Sequence, residues 1–436
     1  MKLKIFFSIC TAVMLTLSSC KDVLNLYPTS AVTPGNITEK DIVPLTNGIY
    51  NTAQNNAGSE SYILFDLVGG NLINSSAGSG SAIIPFIENI LRPENGILKT
   101  GWNGYYRAIY YANTAIQSVE DLPSSTNKNT LLGTAYFFRA LTYYNLVTRW
   151  GGVPLLTVTS DAKIPRNSEA EVWTQIEQDL SLAMQLLPSF NRAKAKSYFY
   201  VSSEAAKALM ARVKLMRGDK PTAAILAEEI ITSGTFQLDD YSKIFRGQDN
   251  TETIFSFANI LEESSVNLSG QFFYTYSHST GGSYVYKPTN EAMNLYTSGD
   301  NRKDYSATTY NSLNIVNKFP SGQAGRDPLI IIRLSEMFLI SAEAKGHING
   351  IGRLNDLRSK RGLTTTTTAN ETHFLDLILE ERRKELYAEG FRYYDLVRTN
   401  RLTSTLGISD HYKKFPIPSD ELMLNNQLEP NEGYSN

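Results

Sequence analysis

Most of this chain is built from stretches with helical periodicity that are separated by short Gly- and Pro-containing turns. Residues 102–119 carry apolar side chains at i, i+3, i+4 and i+7 spacing and end at Asp121-Leu122-Pro123. Comparable stretches are predicted at 36–50, 129–150, 169–188, 204–218, 220–234, 329–345, 350–361 and 377–398. Alanines recur at the expected helix crossings, which is typical of antiparallel helix pairs. We therefore expect a mainly α fold, a tetratricopeptide-like scaffold of helical pairs.

Two loop-rich regions interrupt this helical pattern, at about 53–101 and 250–328. Residues 69–81 are dominated by Gly, Ser and Asn and predict a long exposed loop, either a binding loop or a surface excursion. The second region contains two predicted short strands, 253–259 and 315–319. Irregular segments with a few strands should therefore cap one face of the scaffold.

The segment 377–398 combines an apolar stripe with a ladder of charged residues and predicts one continuous helix. We expect Gly390 within it to mark close packing against a neighbour. The charged residues of the ladder are Glu381, Arg382, Glu385, Glu389, Arg392, Asp395 and Arg398. Carboxylates one turn apart are compatible with glycosidase chemistry. Arginines within i±3 or i±4 reach instead favour a structural ion-pair lattice, because they keep carboxylates ionised.

The first residues predict export and lipid attachment. Lys2 and Lys4 precede an apolar stretch too short to span a bilayer, and small residues then lead into Cys20. This resembles the lipobox of bacterial lipoproteins, in which the cysteine is lipidated. We predict a signal peptide over 1–19, a polar tether over 20–35 and one domain over 36–436. Lys21-Asp22 resembles the signal that directs lipoproteins of the Bacteroidetes to the cell surface.

Composition excludes several classes of site. The cysteines are Cys10, which falls in the signal peptide, and Cys20, so the exported chain has no disulfide or thiol nucleophile. A formal net charge of −2 argues against a nucleic-acid surface. The four histidines show no metal-ligand spacing. We therefore expect no metal and no cofactor.

A series of motifs in the same order along the whole chain resembles the SusD/RagB family. The motifs are Phe137-Phe138-Arg139-Ala140, Gly151-Gly152-Val153-Pro154, Arg166, Glu171-Val172-Trp173, Arg333-Leu334-Ser335-Glu336, Ala342-Glu343-Ala344, Asn355-Asp356-Leu357-Arg358, Glu381-Arg382, Glu385-Leu386, Glu389-Gly390-Phe391-Arg392, Asp395-Leu396-Val397-Arg398, Ile417-Pro418, Glu421-Leu422 and Asn431-Glu432-Gly433-Tyr434. The resemblance implies a surface lipoprotein of the outer membrane that serves a SusC-like TonB-dependent transporter. It also implies capture of nutrients, most often oligosaccharides, by an irregular region on a helical scaffold.

Sugar binding needs aromatic faces and polar side chains on one concave surface. Candidates in the two loop-rich regions are Tyr62, Asp66, Asn71, Asn74, Trp102, Tyr274, Tyr276, Tyr284 and Tyr286. Trp150 and Trp173 are expected in the core, whereas Trp102 follows the Gly-rich loop and is compatible with either role. In relatives, these two regions contact the ligand, but the resemblance does not select residues.

Three functions are compatible with the sequence. The favoured one is a non-catalytic binding protein for a glycan or, as in some relatives, a peptide. A surface glycosidase needs two carboxylates in one cleft, and no loop carboxylate has a recognisable partner. A helical-repeat adaptor of envelope proteins needs no small ligand.

Overall fold

The computed structural model describes residues 37–75, 84–273, 282–322 and 325–434. Its α-helices are α1 (Ile42–Asn55), α2 (Leu64–Leu67), α3 (Ile84–Ile87), α4 (Gly96–Ser118), α5 (Thr126–Trp150), α6 (Glu169–Leu186), α7 (Ser203–Met216), α8 (Lys220–Thr232), α9 (Tyr241–Ile244), α10 (Ser269–Phe272), α11 (Asn290–Met293), α12 (Leu334–Lys360), α13 (Glu371–Glu385), α14 (Arg392–Arg398), α15 (Leu402–Leu406) and α16 (Ser419–Leu424). Its strands are β1 (Leu72–Asn74), β2 (Thr253–Phe257), β3 (Tyr286–Pro288), β4 (Ala307–Tyr310), β5 (Leu313–Val316) and β6 (Leu329–Arg333). The prediction of a mainly helical fold is confirmed.

The long helices form a chain of packed neighbours. Helices α4 to α8 each contact the next, α8 then packs on α12, and α12 packs on α13. Helix α1 lies against both α4 and α5. Buried small residues such as Ala135, Ala205 and Ala208 are fully enclosed, which allows the close approach that their positions predict. Within the described ranges, no helix is both long and apolar enough to cross a membrane.

Local capping signals explain several helix starts. The Ser168 hydroxyl accepts a hydrogen bond from the Glu171 N–H, and the Glu171 carboxylate accepts one from the Ser168 N–H, which is the predicted capping box. Ser202 and Asp219 cap α7 and α8 through their side chains, which accept from the N–H groups of Ala205 and Thr222, without a reciprocal bond. The Asn95 side chain caps α4, so this helix begins before Trp102, which was predicted to open it.

In the described part of the chain, three two-stranded antiparallel sheets lie among the helices: β1 with β3, β2 with β6, and β4 with β5. Strand β6 corrects one prediction, because the first five residues of the expected 329–345 helix pair instead with β2, Phe257 opposite Leu329. The helix begins only at Leu334 and bends at Gly346, which has φ of 72°. An apolar run of this length is compatible with strand or helix, and the pairing partner decides between them.

The predicted 377–398 helix is also wrong as a continuous element. Helix α13 ends at Glu385, and the chain turns before α14 begins at Arg392. Gly390 lies in this turn with φ of 80°, and a Cβ atom there would lie 2.6 Å from the Tyr62 carbonyl oxygen. The glycine does mark close packing, as predicted, but it does so in a turn and not within a helix.

Candidate functional site

The two regions predicted to bind ligand meet in the fold. Strand β1 from the first region pairs with β3 from the second, with Leu72 opposite Pro288 and Asn74 opposite Tyr286. The Ser75 N–H extends this pairing by donating to the Val285 carbonyl. The described residues do not include 76–83 and 274–281, so Tyr274 and Tyr276 lie outside them. The same holds for Cys20, the predicted signal peptide and the predicted tether.

Two polar candidates of the first region are enclosed by the α13–α14 turn. The Asp66 carboxylate is fully buried and accepts hydrogen bonds from the N–H groups of Ala388 (2.9 Å) and Gly390 (2.7 Å) and from Asn71 Nδ2 (2.7 Å). Burial raises the pKa of Asp66. Asn71, 1% exposed, also accepts from Arg383 Nε. Residues 69–72 are therefore not an exposed loop, and Asp66 and Asn71 serve to fix the turn.

The described tyrosines of the second region are buried as well. Tyr284 is 5% exposed and donates from its hydroxyl to the Asn314 carbonyl, and Tyr286 is 2% exposed. Burial raises the pKa of both phenols. Asn74 is half-buried at the end of β1. A buried ring packs the loop against the scaffold and presents no face to a sugar.

Tyr62 and Trp102 line cavities, but different ones. Tyr62 lines an inner cavity of about 90 Å³, and its hydroxyl donates to the Gln54 carbonyl. Trp102 lines a groove of about 520 Å³, yet its side chain is 2% exposed and packs edge-on against Trp150. Trp150 and Trp173 are buried, as predicted. The indole of Trp102 therefore contributes a core contact and not a stacking platform.

The charged ladder forms a buried cluster whose partners come from other elements. Glu385 is fully buried and pairs with Arg302 (2.8 Å), Arg361 (2.8 Å) and Arg333. Glu381 pairs with Arg302 and with Arg358, and Glu389 pairs with Lys318 and Arg333. Burial alone would raise the pKa of Glu385, but the buried arginines beside it hold this pKa well below its usual range.

Pairs along the helix itself, predicted at i±3 or i±4, are mostly absent among the described residues. Arg382 pairs with Asp395 across the turn, and Arg398 pairs with Glu343 and with Asp395. Among the residues of the predicted ladder, the pair of Arg398 with Asp395 alone has the predicted spacing. Burial lowers the pKa of Arg392 to about 10, and the positive charge of the neighbouring Arg383 contributes to this shift. The Nε of Arg392 has no hydrogen-bond partner. The lattice ties α12, α13 and α14 to one another and to Arg302, Lys318 and Arg333 of other segments.

The buried carboxylates do not form a general acid in a cleft. Arginine partners lower the pKa of Glu389 and Asp395 in spite of their burial. Carboxylates with a raised pKa lie elsewhere. Asp66 lies beneath the turn, Asp179 against Arg139, and Asp327, whose pKa burial raises to about 6, against Ser321, and these three are enclosed by protein. Burial also raises the pKa of Glu421, which is half-buried and is the one carboxylate among the described residues that line the groove at Trp102. A glycosidase ordinarily needs two carboxyl groups on either side of a bound sugar.

The largest cavity among those described is a cleft of about 730 Å³, which we call the tyrosine cleft. Its floor is one face of α1, and its walls are Tyr111 of α4, the Phe199-Tyr200 segment and the chain that follows β2. The residues that line it are Asn47, Gly48, Tyr50, Asn51, Thr52, Gln54, Tyr111, Phe199, Tyr200, Phe257, Ala258, Asn259, Ile260 and Glu263. Aromatic rings and side-chain amides thus share one concave surface.

Two tyrosine rings in this cleft remain open to solvent. Tyr200 is 56% exposed and Tyr111 is 47% exposed, whereas Tyr286, predicted from the sequence, is 2% exposed. Tyr200 packs edge-on against Tyr50 with ring centroids 6.5 Å apart, and Lys194 Nζ lies 4.4 Å from its centroid. These contacts fix the Tyr200 ring at the rim of the cleft, where its exposed part presents an apolar surface.

Hydrogen bonds from α1 fix the opposite wall. The side-chain amides of Asn51 and Asn55 donate to the Glu263 carbonyl at 3.0 and 3.1 Å, and the Ser265 N–H donates to Asn55 Oδ1. This arrangement anchors the turn after β2 beside the exposed amide side chains of Asn47 and Asn51. The tyrosine cleft therefore has rigid polar groups close to its aromatic rim.

The sequence carried a signal for Tyr111 that loop-based reasoning missed. Ala108, Ile109, Ala112 and Ala115 form the buried stripe of α4, and adjacent positions on a helix are rotated by about 100°. The pair Tyr110-Tyr111 therefore lies off this stripe, and both rings are exposed. An apolar ring on the solvent side of a helix is a candidate contact. Tyr200 carried no comparable signal.

Two family models together span the described residues. A model described as "Starch-binding associating with outer membrane" matches residues 24–215, and the model of the SusD family matches residues 189–434. A relative named SusD-like protein P2, from Formosa agariphila, is 27% identical over 99% of this chain and 100% of its own.

Solved structures show the same fold. A SusD superfamily protein from Bacteroides thetaiotaomicron superposes with a TM-score of 0.77 at 26% identity, over 91% of this chain and 100% of its own. A laminarin-binding SusD-like protein superposes with a TM-score of 0.76 at 22% identity, over 91% of this chain and 99% of its own. Because the model of the SusD family matches more than half of this chain, the chain belongs to the SusD/RagB family.

Proposed function

We propose that this protein is a non-catalytic glycan-binding lipoprotein whose ligand lies in the tyrosine cleft. The observation that carries the proposal is the pair of solvent-open rings, Tyr111 and Tyr200, facing amide side chains across one concavity. Sugar C–H faces pack on such rings while the hydroxyls bond to amides. Family membership supports this, since one matched family model is described as starch-binding and one solved structure as laminarin-binding.

The proposed location is the outer membrane, with the protein anchored by a lipid on Cys20 and facing the cell surface. The description "associating with outer membrane" of the matched family model supports the membrane assignment. The polar segment 20–35 then serves as the tether. From this position the protein hands captured glycan to a SusC-like TonB-dependent transporter, as the family resemblance implies.

The acidic groups at the cleft support binding without hydrolysis. Glu263 is the single carboxylate among the described residues that line it, whereas glycoside hydrolysis ordinarily uses two. A lone carboxylate accepts hydrogen bonds from sugar hydroxyls, so Glu263 is assigned a binding role.

Native gel electrophoresis through polysaccharide tests the proposal. The mature chain is run through gels that contain laminarin, starch or other glycans, and binding is measured as retardation against a polysaccharide-free gel. We expect at least one glycan to retard the wild-type protein and Tyr200→Ala to abolish the retardation. Tyr110→Ala is the matched control, because Tyr110 is 52% exposed on the same helix as Tyr111 but does not line the cleft.

Two outcomes contradict the proposal. Release of reducing ends from a retained glycan makes the protein a hydrolase. Equal retardation of wild-type and Tyr200→Ala proteins, with loss in Asn74→Ala or Tyr276→Ala, moves the ligand to the loops predicted from the sequence.

A further inference from the structure

Arg149 at the end of α5 carries a buried charge that lacks a carboxylate partner. Among the described residues seven arginines are buried: Arg139, Arg149, Arg212, Arg302, Arg333, Arg361 and Arg382. Six of them form ion pairs with Asp or Glu. Among the described residues no acidic side chain pairs with Arg149, which is 4% exposed. Burial of a charge without a partner costs free energy, so we expect Arg149 to have a negatively charged ligand.

The existing contacts of Arg149 bring no negative charge. Its Nη1 donates to the Asn145 carbonyl and to Asn145 Oδ1 at 2.8 Å, and its Nη2 donates to the Ser61 carbonyl at 2.8 Å. The guanidinium lies 4.7 Å from the ring centroid of Phe65. Its Nε–H is buried without a hydrogen-bond partner and is available to a ligand.

Arg149 lines the inner cavity of about 90 Å³ that also contains Tyr62. The charged residues that line this cavity are Arg149, Arg212 and Glu389. Arg212 is compensated by Glu336, and Glu389 by Lys318 and Arg333, so the cavity retains the positive charge of Arg149. Half-buried lining residues such as Asn145 and Phe391 connect it to the surface.

The cavity also supplies neutral donors. The Tyr144 side chain lines it, and burial raises the pKa of that phenol, which keeps the hydroxyl protonated and able to donate. A cavity needs roughly 10–15 Å³ for each water, so about 90 Å³ holds a carboxylate with a few carbon atoms.

We propose that this cavity binds a small monocarboxylate, with Arg149 as its charge partner and Tyr144 as an additional donor. The site is separate from the tyrosine cleft, with which it shares only Phe257 among the described lining residues. The proposal depends on the burial and charge of Arg149 and does not depend on the proposed glycan function.

Titration of the mature chain with sodium acetate tests this, with binding measured by calorimetry and by the thermal unfolding midpoint. Sodium chloride replaces acetate at equal ionic strength as the reference. We expect saturable binding of acetate and a rise of the midpoint with acetate concentration. Arg149→Met should weaken binding about tenfold or more, because the charge-assisted hydrogen bond is lost. Arg92→Met, at an exposed arginine, is the charge-matched control and should bind as the wild type does.

Asn145→Asp is the second variant, should Arg149→Met fold poorly. It places a carboxylate where Asn145 Oδ1 now accepts from Arg149 Nη1 at 2.8 Å. We expect this internal partner to raise the unfolding midpoint in chloride and to remove the response to acetate. Equal responses to acetate and chloride, or an unchanged acetate affinity in Arg149→Met or Asn145→Asp, would overturn the proposal.

Discussion

Replacement of Glu385 by Gln should destabilise the fold strongly without touching the tyrosine cleft. The cluster around Glu385 joins five carboxylates to five basic side chains: Glu252, Asp300, Glu381, Glu385 and Glu389 with Arg302, Lys318, Arg333, Arg358 and Arg361. Its charges therefore balance, and the substitution leaves one positive charge in excess in a region that excludes water.

The magnitude follows from the contacts of Glu385. Its carboxylate lies 2.8 Å from both Arg302 and Arg361, also contacts Arg333, and is 0% exposed. Removing one partner of a buried ion pair costs about 3–5 kcal/mol. Each of the three arginines keeps another carboxylate, so we expect about 3 kcal/mol, out of a total stability of roughly 5–15 kcal/mol.

Urea unfolding followed by circular dichroism measures this loss. Asp376→Asn is the matched control on the same helix, because the Asp376 side chain is 52% exposed and its partner Arg401 is 32% exposed. Pairs between such exposed side chains contribute about 0–1 kcal/mol. If Glu385→Gln is no less stable than Asp376→Asn, the buried cluster does not stabilise the fold and the reasoning fails.

The effect should also depend on pH. The folded pKa of Glu385 is well below its usual range because of its arginine partners, and glutamate in the unfolded chain has a pKa of about 4.3. The stabilisation is therefore complete above that unfolded value and is lost as the pH falls towards the folded pKa. The difference between wild-type and Glu385→Gln proteins should be constant near neutral pH and shrink in acid.

Three further outcomes are expected. Asp66→Ala should lower the free energy of unfolding by about 2 kcal/mol, measured in urea, because two buried N–H donors lose their acceptor. Gly390→Ala should lower it by about 1–3 kcal/mol, since the residue has φ of 80° and an added Cβ would meet the Tyr62 carbonyl; Gly352→Ala, whose Cβ meets nothing within 4 Å, should be neutral or stabilising. Cys20→Ala should move the protein from membrane to soluble fractions, and full membrane retention would contradict the proposed anchor.

Periodicity and capping predicted the scaffold well because those signals are local. Ser168 with Glu171, and Asp219, mark helix starts that the structure confirms. The end of α13 was missed because it is set by contacts distant in sequence: Asp66 accepts the N–H groups of Ala388 and Gly390. The charged pattern continues through this turn, so periodicity alone gives no sign of it.

The candidate site was harder to predict than the scaffold. Polar and aromatic loop residues were expected to face a ligand, but Asp66, Tyr284 and Tyr286 serve to hold the loops onto the scaffold. Exposure is a property of the packed molecule, so it separates Tyr200 from Tyr286 only once the fold is known. The meeting of the two loop-rich regions through β1 and β3 agrees with the family resemblance.

Calorimetric titration of a glycan into the Tyr111→Ala/Tyr200→Ala double variant tests the central claim most directly. The wild-type protein and Tyr110→Ala serve as references, with a glycan that retards the wild-type protein in gels. We predict binding heat for both references and none for a double variant that retains wild-type circular dichroism. Binding of that glycan by the double variant with wild-type affinity would contradict the assignment of the tyrosine cleft as the ligand site.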